Sequence, residues 1–370
     1  MLGKRKLAAT LLGHAGAIQA MAAFRARFCN GVTILAYHRI LDVPDENSFP
    51  FDIELVSASV SSFTSQMQYI KENYTPLSFA SLLQYLDRGD APPRGSVIVT
   101  FDDGFSDNYY NAFPILKKFN IPATIFLSTG YIDSQEIFWY EKLSYAVMTT
   151  SPRTLAIPQF ARIRIDGTAS SRRCAIKALM RHLQRVPDLI RLQLLDNLFD
   201  QLSVDHRNIH DPRSGPMTWE QILEMSANCI EFGSHGVSHP VLSMLDSTKL
   251  EHELAHSKQN IESMLNKPVQ VLAYPVGGEE AFNDKVRTAV KSAGYRLGVS
   301  YIAGIEKPEQ WDVYALRRLH VERYVDIRYF KAMLAMPGMF AYESYRSPST
   351  RHQRLLHWCS GSQRFLNRFL

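Results

Sequence analysis

The sequence predicts an α/β protein made of parallel β/α units and broken by a helical insertion. Three observations carry that prediction. Short apolar, β-branched runs at 31–37, 96–101 and 122–129 have the composition of buried strands. Segments of helical spacing separate the later runs, and a strand–helix–strand order indicates parallel pairing. From about residue 138 to residue 216 the alternation stops, and mainly helical sequence takes its place before the strands resume.

Taken in order, "GVTILAY" (31–37) is a strand that ends at His38-Arg39, and "DVPDENSFPFD" is a polar loop. "SVSSFTSQMQYIKENY" opens with serine caps and sets Phe63, Met67 and Ile70 on one helical face. "SVIVTF" (96–101) is a second strand, "NAFPILKKFN" a helix and "PATIFLST" a third strand. The insertion holds "YEKLSYAVM", "SSRRCAIKALMRHLQRV" and "LIRLQLLDNLFDQL", and a polar "DHRNIHDPRSG" closes it. The helix "TWEQILEMSA", capped by Thr218, precedes the strand and loop "CIEFGSH". A long helix (246–265), the strand "VQVLAYP", a helix stopped by Gly294 and the strand "YRLGVSY" complete the alternation.

Composition narrows the class. The chain has 370 residues, 46% of them hydrophobic and 21% charged, which suits one large globular domain with an insertion. Four scattered cysteines (Cys29, Cys174, Cys229, Cys359) form no framework and read as unpaired thiols, which favours a reducing compartment. The net charge of +5 is unevenly placed. Residues 1–30 and 346–370 each carry five Lys or Arg and no acidic residue, so the body between them is acidic. Such ends exclude a nucleic-acid groove across the fold and suit contact with an anionic membrane. The N-terminal segment is a poor signal peptide. Leu7, Leu11, Ala15, Ile18 and Ala22 recur at helical spacing, as an interfacial helix or as a helix packed on the domain. No stretch is apolar and long enough to span a membrane. The expected location is cytoplasmic or peripheral to the inner membrane.

Two sequence clusters carry chemistry. Asp102 and Asp103 adjoin at a predicted strand end, and Gly104 allows the turn that would let both serve one site. A bound cation removes the repulsion between such carboxylates. "GSHGVSHP" places His235 and His239 four apart, where they can chelate one ion. Gly236 occupies the position of the glutamate that a metalloprotease H-E-x-x-H requires. One carboxylate plus two imidazoles leaves a coordination position for water, and the spare aspartate is the natural base. His252 and His256 lie on a charged helix and read as a solvated face.

"VTFDDG" (99–104), "SHGVSHP" (234–240) and "AYPVGG" (273–278), in that order, resemble the polysaccharide deacetylases of the NodB-homology type, carbohydrate esterase family four. The resemblance implies a distorted (β/α) barrel over 31–345, interrupted by the insertion 138–216 and flanked by a basic N-terminal segment (1–30) and a basic tail (346–370). It implies Asp103, His235 and His239 as metal ligands, with zinc first and cobalt, nickel or manganese as alternatives. Asp102 matches the base that takes a proton from the attacking water, and Val276 the backbone N–H that holds the oxyanion. Tyr274 and Pro275 belong to the same substrate loop, and His38 in "YHR" to the site. Ala273 stands where the family has an arginine, so Arg318 in "LRRLHVER" is the candidate substitute, with His320 as proton donor. Tyr109, Tyr110, Phe138, Trp139, Tyr140 and Trp311 are either sugar-stacking walls or core.

The implied reaction removes N-acetyl groups from amino sugars of a bacterial surface polysaccharide or its lipid-linked precursor. The alternatives are deformylation or O-deacetylation of a glycolipid, or a silent glycan-binding protein.

Overall fold

The computed structural model describes residues 2–341 apart from positions 15, 29, 30, 135, 159, 206–208, 210–213 and 306–310. The expected tail 346–370 lies outside them. In chain order the strands are β1 (Thr33–Tyr37), β2 (Arg39–Ile40), β3 (Val56–Ala58), β4 (Thr75–Pro76), β5 (Ser96–Phe101), β6 (Ala123–Leu127), β7 (Arg153–Ile157), β8 (Ala161–Ile165), β9 (Ile230–Ser234), β10 (Val271–Ala273), β11 (Leu297–Ala303) and β12 (Leu316–His320). The helices used below are α1 (Leu2–His14), α2 (Ala17–Phe28), α3 (Val60–Asn73), α4 (Phe79–Arg88), α5 (Phe113–Phe119), α6 (Trp139–Thr149), α7 (Ala169–Leu183), α8 (Asp188–Leu202), α9 (Trp219–Ser226), α10 (Ser247–Leu265), α11 (Asp284–Ser292) and α12 (Ile327–Ala335).

Seven strands close a parallel barrel in the order β1, β12, β11, β10, β9, β6, β5, and β5 pairs back to β1. Register confirms closure: Leu35 faces Leu319 on one side, and Leu35 faces Val99 on the other. β4 adds to the outer edge through β5. The expected barrel is thus present. Its strands are buried on both faces, which is why they read as unbroken apolar runs rather than alternating ones.

Alternation along the strands sorts the core into layers. Ile34, Ile98, Phe126, Val299 and Leu316 cluster with Phe79, Leu82 and Leu83 of α4. Their neighbours Leu35, Val99, Phe101 and Ile125 pack with the helices, including Phe63, Met67 and Ile70 of α3. Ser59 caps α3, Thr218 caps α9 in a reciprocal capping box with Gln221, and Asp246 caps α10.

Two expectations need correction. The insertion is not only helical. β7 and β8 form an antiparallel hairpin between α6 and α7; "ARIRI" of β8 does alternate, but the two runs are only five residues each and sit between much longer helical segments. The N-terminal stripe does not stay on one helix either. The chain bends by 89° between α1 and α2, next to Gly16 at φ +70°. Ile18 and Ala22 are buried in the main cluster, whereas Leu7 and Leu11 are each 61% exposed. Among the described residues, no single helix is long and apolar enough to cross a membrane.

Candidate metal centre and active site

The Asp-Asp-Gly turn is what separates the two carboxylates. Asp102 continues the ladder, its N–H donating to the Tyr37 carbonyl at 3.0 Å. Asp103 then adopts φ +76° and Gly104 φ +86°. A side chain at 104 would place its Cβ 2.8 Å from Leu127, so glycine is required there. A left-handed aspartate costs backbone energy, and such strain persists where surroundings over-determine it. Here the turn swings Asp103 toward the loop after β9.

That loop supplies both imidazoles. His235 Nε2 lies 3.5 Å and His239 Nε2 3.2 Å from Asp103 Oδ1. One ligand atom from each of the three residues lies within 4.8 Å of the others, and all three residues are buried. Asp103 Oδ1 nevertheless accepts no well-aligned hydrogen bond. The His235 Nδ1 sits 2.8 Å from the Ala273 carbonyl, which can only accept, so Nδ1 carries the proton and Nε2 presents its lone pair. Burial lowers the His235 pKa to about 4, which keeps the imidazole neutral, as a metal ligand must be. Burial works against the Asp103 charge, but the neighbouring His239, His38 and His235 hold it well below the ordinary carboxylate range. A buried carboxylate oxygen left without a hydrogen bond between two imidazole nitrogens, one of them the lone pair of His235, fits a divalent cation.

Asp102 belongs to a different set. Arg318 Nη1 and Nη2 donate to its Oδ1 and Oδ2, each at 2.7 Å. Arg318 is fully buried, and its Nε donates to the Ser300 carbonyl at 2.8 Å. The arginine missing at Ala273 is thus replaced in space by one from β12. Burial opposes charge on Asp102, yet Arg318, His235 and His38 bring its pKa below the ordinary value. His38 Nε2 lies 3.9 Å from Asp102 Oδ2.

A cavity open to solvent lies over these groups and is lined by His38, Asp102, His235, His239, Val276 and Tyr301 among others. Val276 sits in it at φ +65°. Tyr274 also borders the cavity, but its ring stacks on Phe282 and its hydroxyl donates to the Tyr314 carbonyl. Pro275 is buried and is not part of the lining. His320 is not in the lining either. It is 1% exposed and stacks behind Tyr301 at 3.8 Å, and burial first, then Arg318, drops its pKa to about 3.

Of the aromatic candidates, Trp139 and Tyr140 reach the site. The Trp139 indole donates to the His239 carbonyl at 3.2 Å, and the Tyr140 ring lies 5.0 Å from the His239 ring. Phe138 is core. Tyr109 and Tyr110 bond Glu224 and Gln221 on α9, and Trp311 packs with the cluster that includes α4.

Two positioning residues escaped the sequence reading. Glu253 of α10 accepts from the Val237 and Ser238 N–H groups and from the Ser238 hydroxyl, which ties down the turn between the two histidines. Its signal was its place on the buried stripe Leu250, Leu254, Ser257, Ile261, where a carboxylate needs a reason. Arg39, fully buried, bonds Asp107 at 2.8 Å and Glu141 at 3.1 Å, joining barrel to insertion. Nothing local in the sequence pairs these three.

Residues 89–298 match the family profile described as polysaccharide deacetylase. A Bacillus subtilis relative, YxkH, is 23% identical over 260 residues, covering 70% of this chain and 63% of its own. The Staphylococcus aureus poly-β-1,6-N-acetyl-D-glucosamine N-deacetylase is 34% identical over 122 residues, covering 31% of this chain and 42% of its own. The match therefore spans less than two thirds of either relative. The fold is similar to that of the Streptococcus pyogenes deacetylase PplD, with TM-score 0.54, 21% identity and coverage of 82% of this chain and 96% of that one. It is also similar to IcaB from Ammonifex degensii, with TM-score 0.52, 18% identity and coverage of 84% and 97%. With the profile spanning more than half of its residues, the chain belongs to the polysaccharide deacetylase family.

Proposed function

We propose that this protein is a metal-dependent hydrolase that removes N-acetyl groups from amino sugars of a bacterial surface polysaccharide or its lipid-linked precursor. The observation that carries the reading is the division of the two adjacent aspartates: Asp103 faces the imidazoles of His235 and His239, and Asp102 is held apart by Arg318. Asp103, His235 and His239 would hold a divalent cation, zinc first. Such a cation acidifies water and polarises an amide carbonyl.

The chain's own groups do the rest. Asp102, ionised at neutral pH, takes the proton of the attacking water, and Arg318 fixes the carboxylate plane. The C–N bond breaks as the amine takes a proton and acetate departs. We assign the donor to His38 rather than His320, because His38 lines the cavity beside Asp102 and His320 lies behind Tyr301. The relative that acts on poly-β-1,6-N-acetyl-D-glucosamine supports an N-acetylated glycan as substrate.

The test is acetate release from β-1,6-linked N-acetylglucosamine oligomers, with metal content measured in parallel. Chelation should abolish release and added zinc should restore it. Release by the metal-free protein, or none from any N-acetylated oligomer, would overturn the reading.

A second reading concerns location. The exposed Leu7, Leu11 and Phe24, on a segment without acidic residues, support peripheral contact with an anionic membrane. Loss of co-sedimentation with phosphatidylglycerol vesicles in Leu11→Glu and Phe24→Glu is expected. Binding equal to wild type would refute it.

A further inference from the structure

The insertion does more than cover the barrel. One face of α7 and its C-terminal cap, carrying Ile176, Lys177, Met180, Arg181 and Gln184, lines the same cavity as Asp102 and the two imidazoles. Between Ile176 and Gln184 the helix advances about 12 Å, longer than one sugar ring. The face alternates apolar surface with long hydrogen-bonding side chains, which matches the C–H faces and the hydroxyl and acetamide edges of a sugar chain.

This wall is held rigidly. Arg173 donates to the carbonyls of Phe51, Glu46 and Phe49, and Arg172 to those of Val147 and Met148 at the end of α6. Ala175, Ile176, Leu179 and Leu183 pack with Leu143, Val147, Leu195 and Leu198 in the insertion's own core. Lys177 pairs with Glu54 at 3.1 Å, and Asp52 and Glu54 face the cavity as well. Lys177 and Arg181 are thus set beside Asp52 and Glu54 in the same lining, a mixture of both signs that suits an uncharged chain better than an anionic one.

We propose that this face of α7 binds the sugars flanking the reacting acetamido sugar, so that the insertion selects an uncharged, N-acetylated chain of several sugars over a single unit. The proposal rests on the deacetylase reading above and deepens it. The wall is built before substrate arrives, so chain selection should be expressed in KM more than in kcat.

The experiment compares kcat/KM on a β-1,6-linked N-acetylglucosamine pentamer with that on 4-nitrophenyl acetate, whose acetyl group needs only the catalytic groups. In Arg181→Ala and Gln184→Ala, with folding checked by circular dichroism, the pentamer-to-ester ratio should fall about tenfold, mainly through pentamer KM. Arg181→Lys should recover part of it. A wild-type ratio in both alanine variants, or equal losses on both probes, would overturn the proposal. So would faster turnover of an oligomer alternating N-acetylglucosamine with glucuronate. Wild-type protein that cleaves the ester but releases no acetate from any N-acetylated oligomer refutes the deacetylase reading itself.

Discussion

Asp102 and Asp103 are chemically identical and adjacent, yet their surroundings give them separate tasks. Both pKa values are depressed, so each carboxylate contributes stability that is present above its ordinary value of 3.8 and lost as pH falls through the folded value. Asp102→Asn should therefore flatten the acid-side loss of stability, measured by urea unfolding at neutral and acid pH. The same variant should keep the metal while turnover falls by about 10²-fold or more. His235→Ala should lose the metal itself, and equal metal loss in both variants would refute the division of roles. Arg318 sets the sign of a further prediction. Removing its charge takes away the strongest counter to burial and leaves only His235 and His38, so the Asp102 pKa rises. In Arg318→Gln the acid limb of the kcat/KM profile should move to higher pH, with Arg318→Lys between the two. A limb that stays in place would show that Arg318 only packs. The Asp-Asp-Gly and His-x₃-His spacings were legible in the sequence because each is local. The pairing of Arg318 with Asp102 spans two strands far apart in the chain, and the sequence points to it only through the arginine missing at Ala273.

The elements decide how well the ligands are aimed. The turn between His235 and His239 carries Gly236 at φ +79°, and its N–H groups are gathered by Glu253 from α10. A Cβ at 236 would come within 2.8 Å of the Glu253 carboxylate. Glu253→Gln should weaken zinc affinity by about 10- to 100-fold, as loss of groups that orient ligands does. Gly236→Ala should be worse, because it adds strain to the same loss. Titration calorimetry with zinc checks both, and unchanged affinity in Glu253→Gln would remove its positioning role. Helix α10 illustrates what periodicity does and does not disclose. Its charged face is solvated, as the spacing predicts, with His252 and His256 exposed and stacked on each other. The role of Glu253, the one carboxylate on its buried stripe, is not legible from periodicity, because its partners lie on a loop that periodicity cannot place.

At the scale of the whole molecule, the insertion and the barrel meet at a buried charge cluster. Arg39 of β2 reaches Asp107 after β5, Glu141 of α6 and the Ser214 hydroxyl. Removing one partner strands the others without water. Arg39→Ala should cost about 3–5 kcal/mol, the usual penalty for breaking a buried pair. Urea unfolding at neutral pH checks the value, and a loss below about 1 kcal/mol would show that water reaches the carboxylates. Such a loss would also loosen α6, and with it Trp139 and Tyr140 against His239.

The sequence by itself determined the parallel β/α rhythm, the place where that rhythm stops and the carboxylate and imidazole types at two strand ends, because each depends on neighbours within a turn or a strand. Only the tertiary structure decided that Arg318 grips Asp102, that His38 and not His320 borders the cavity and that α7 walls it. Those are contacts between segments whose spacing in the chain carries no distance information, and barrel closure alone brings them together.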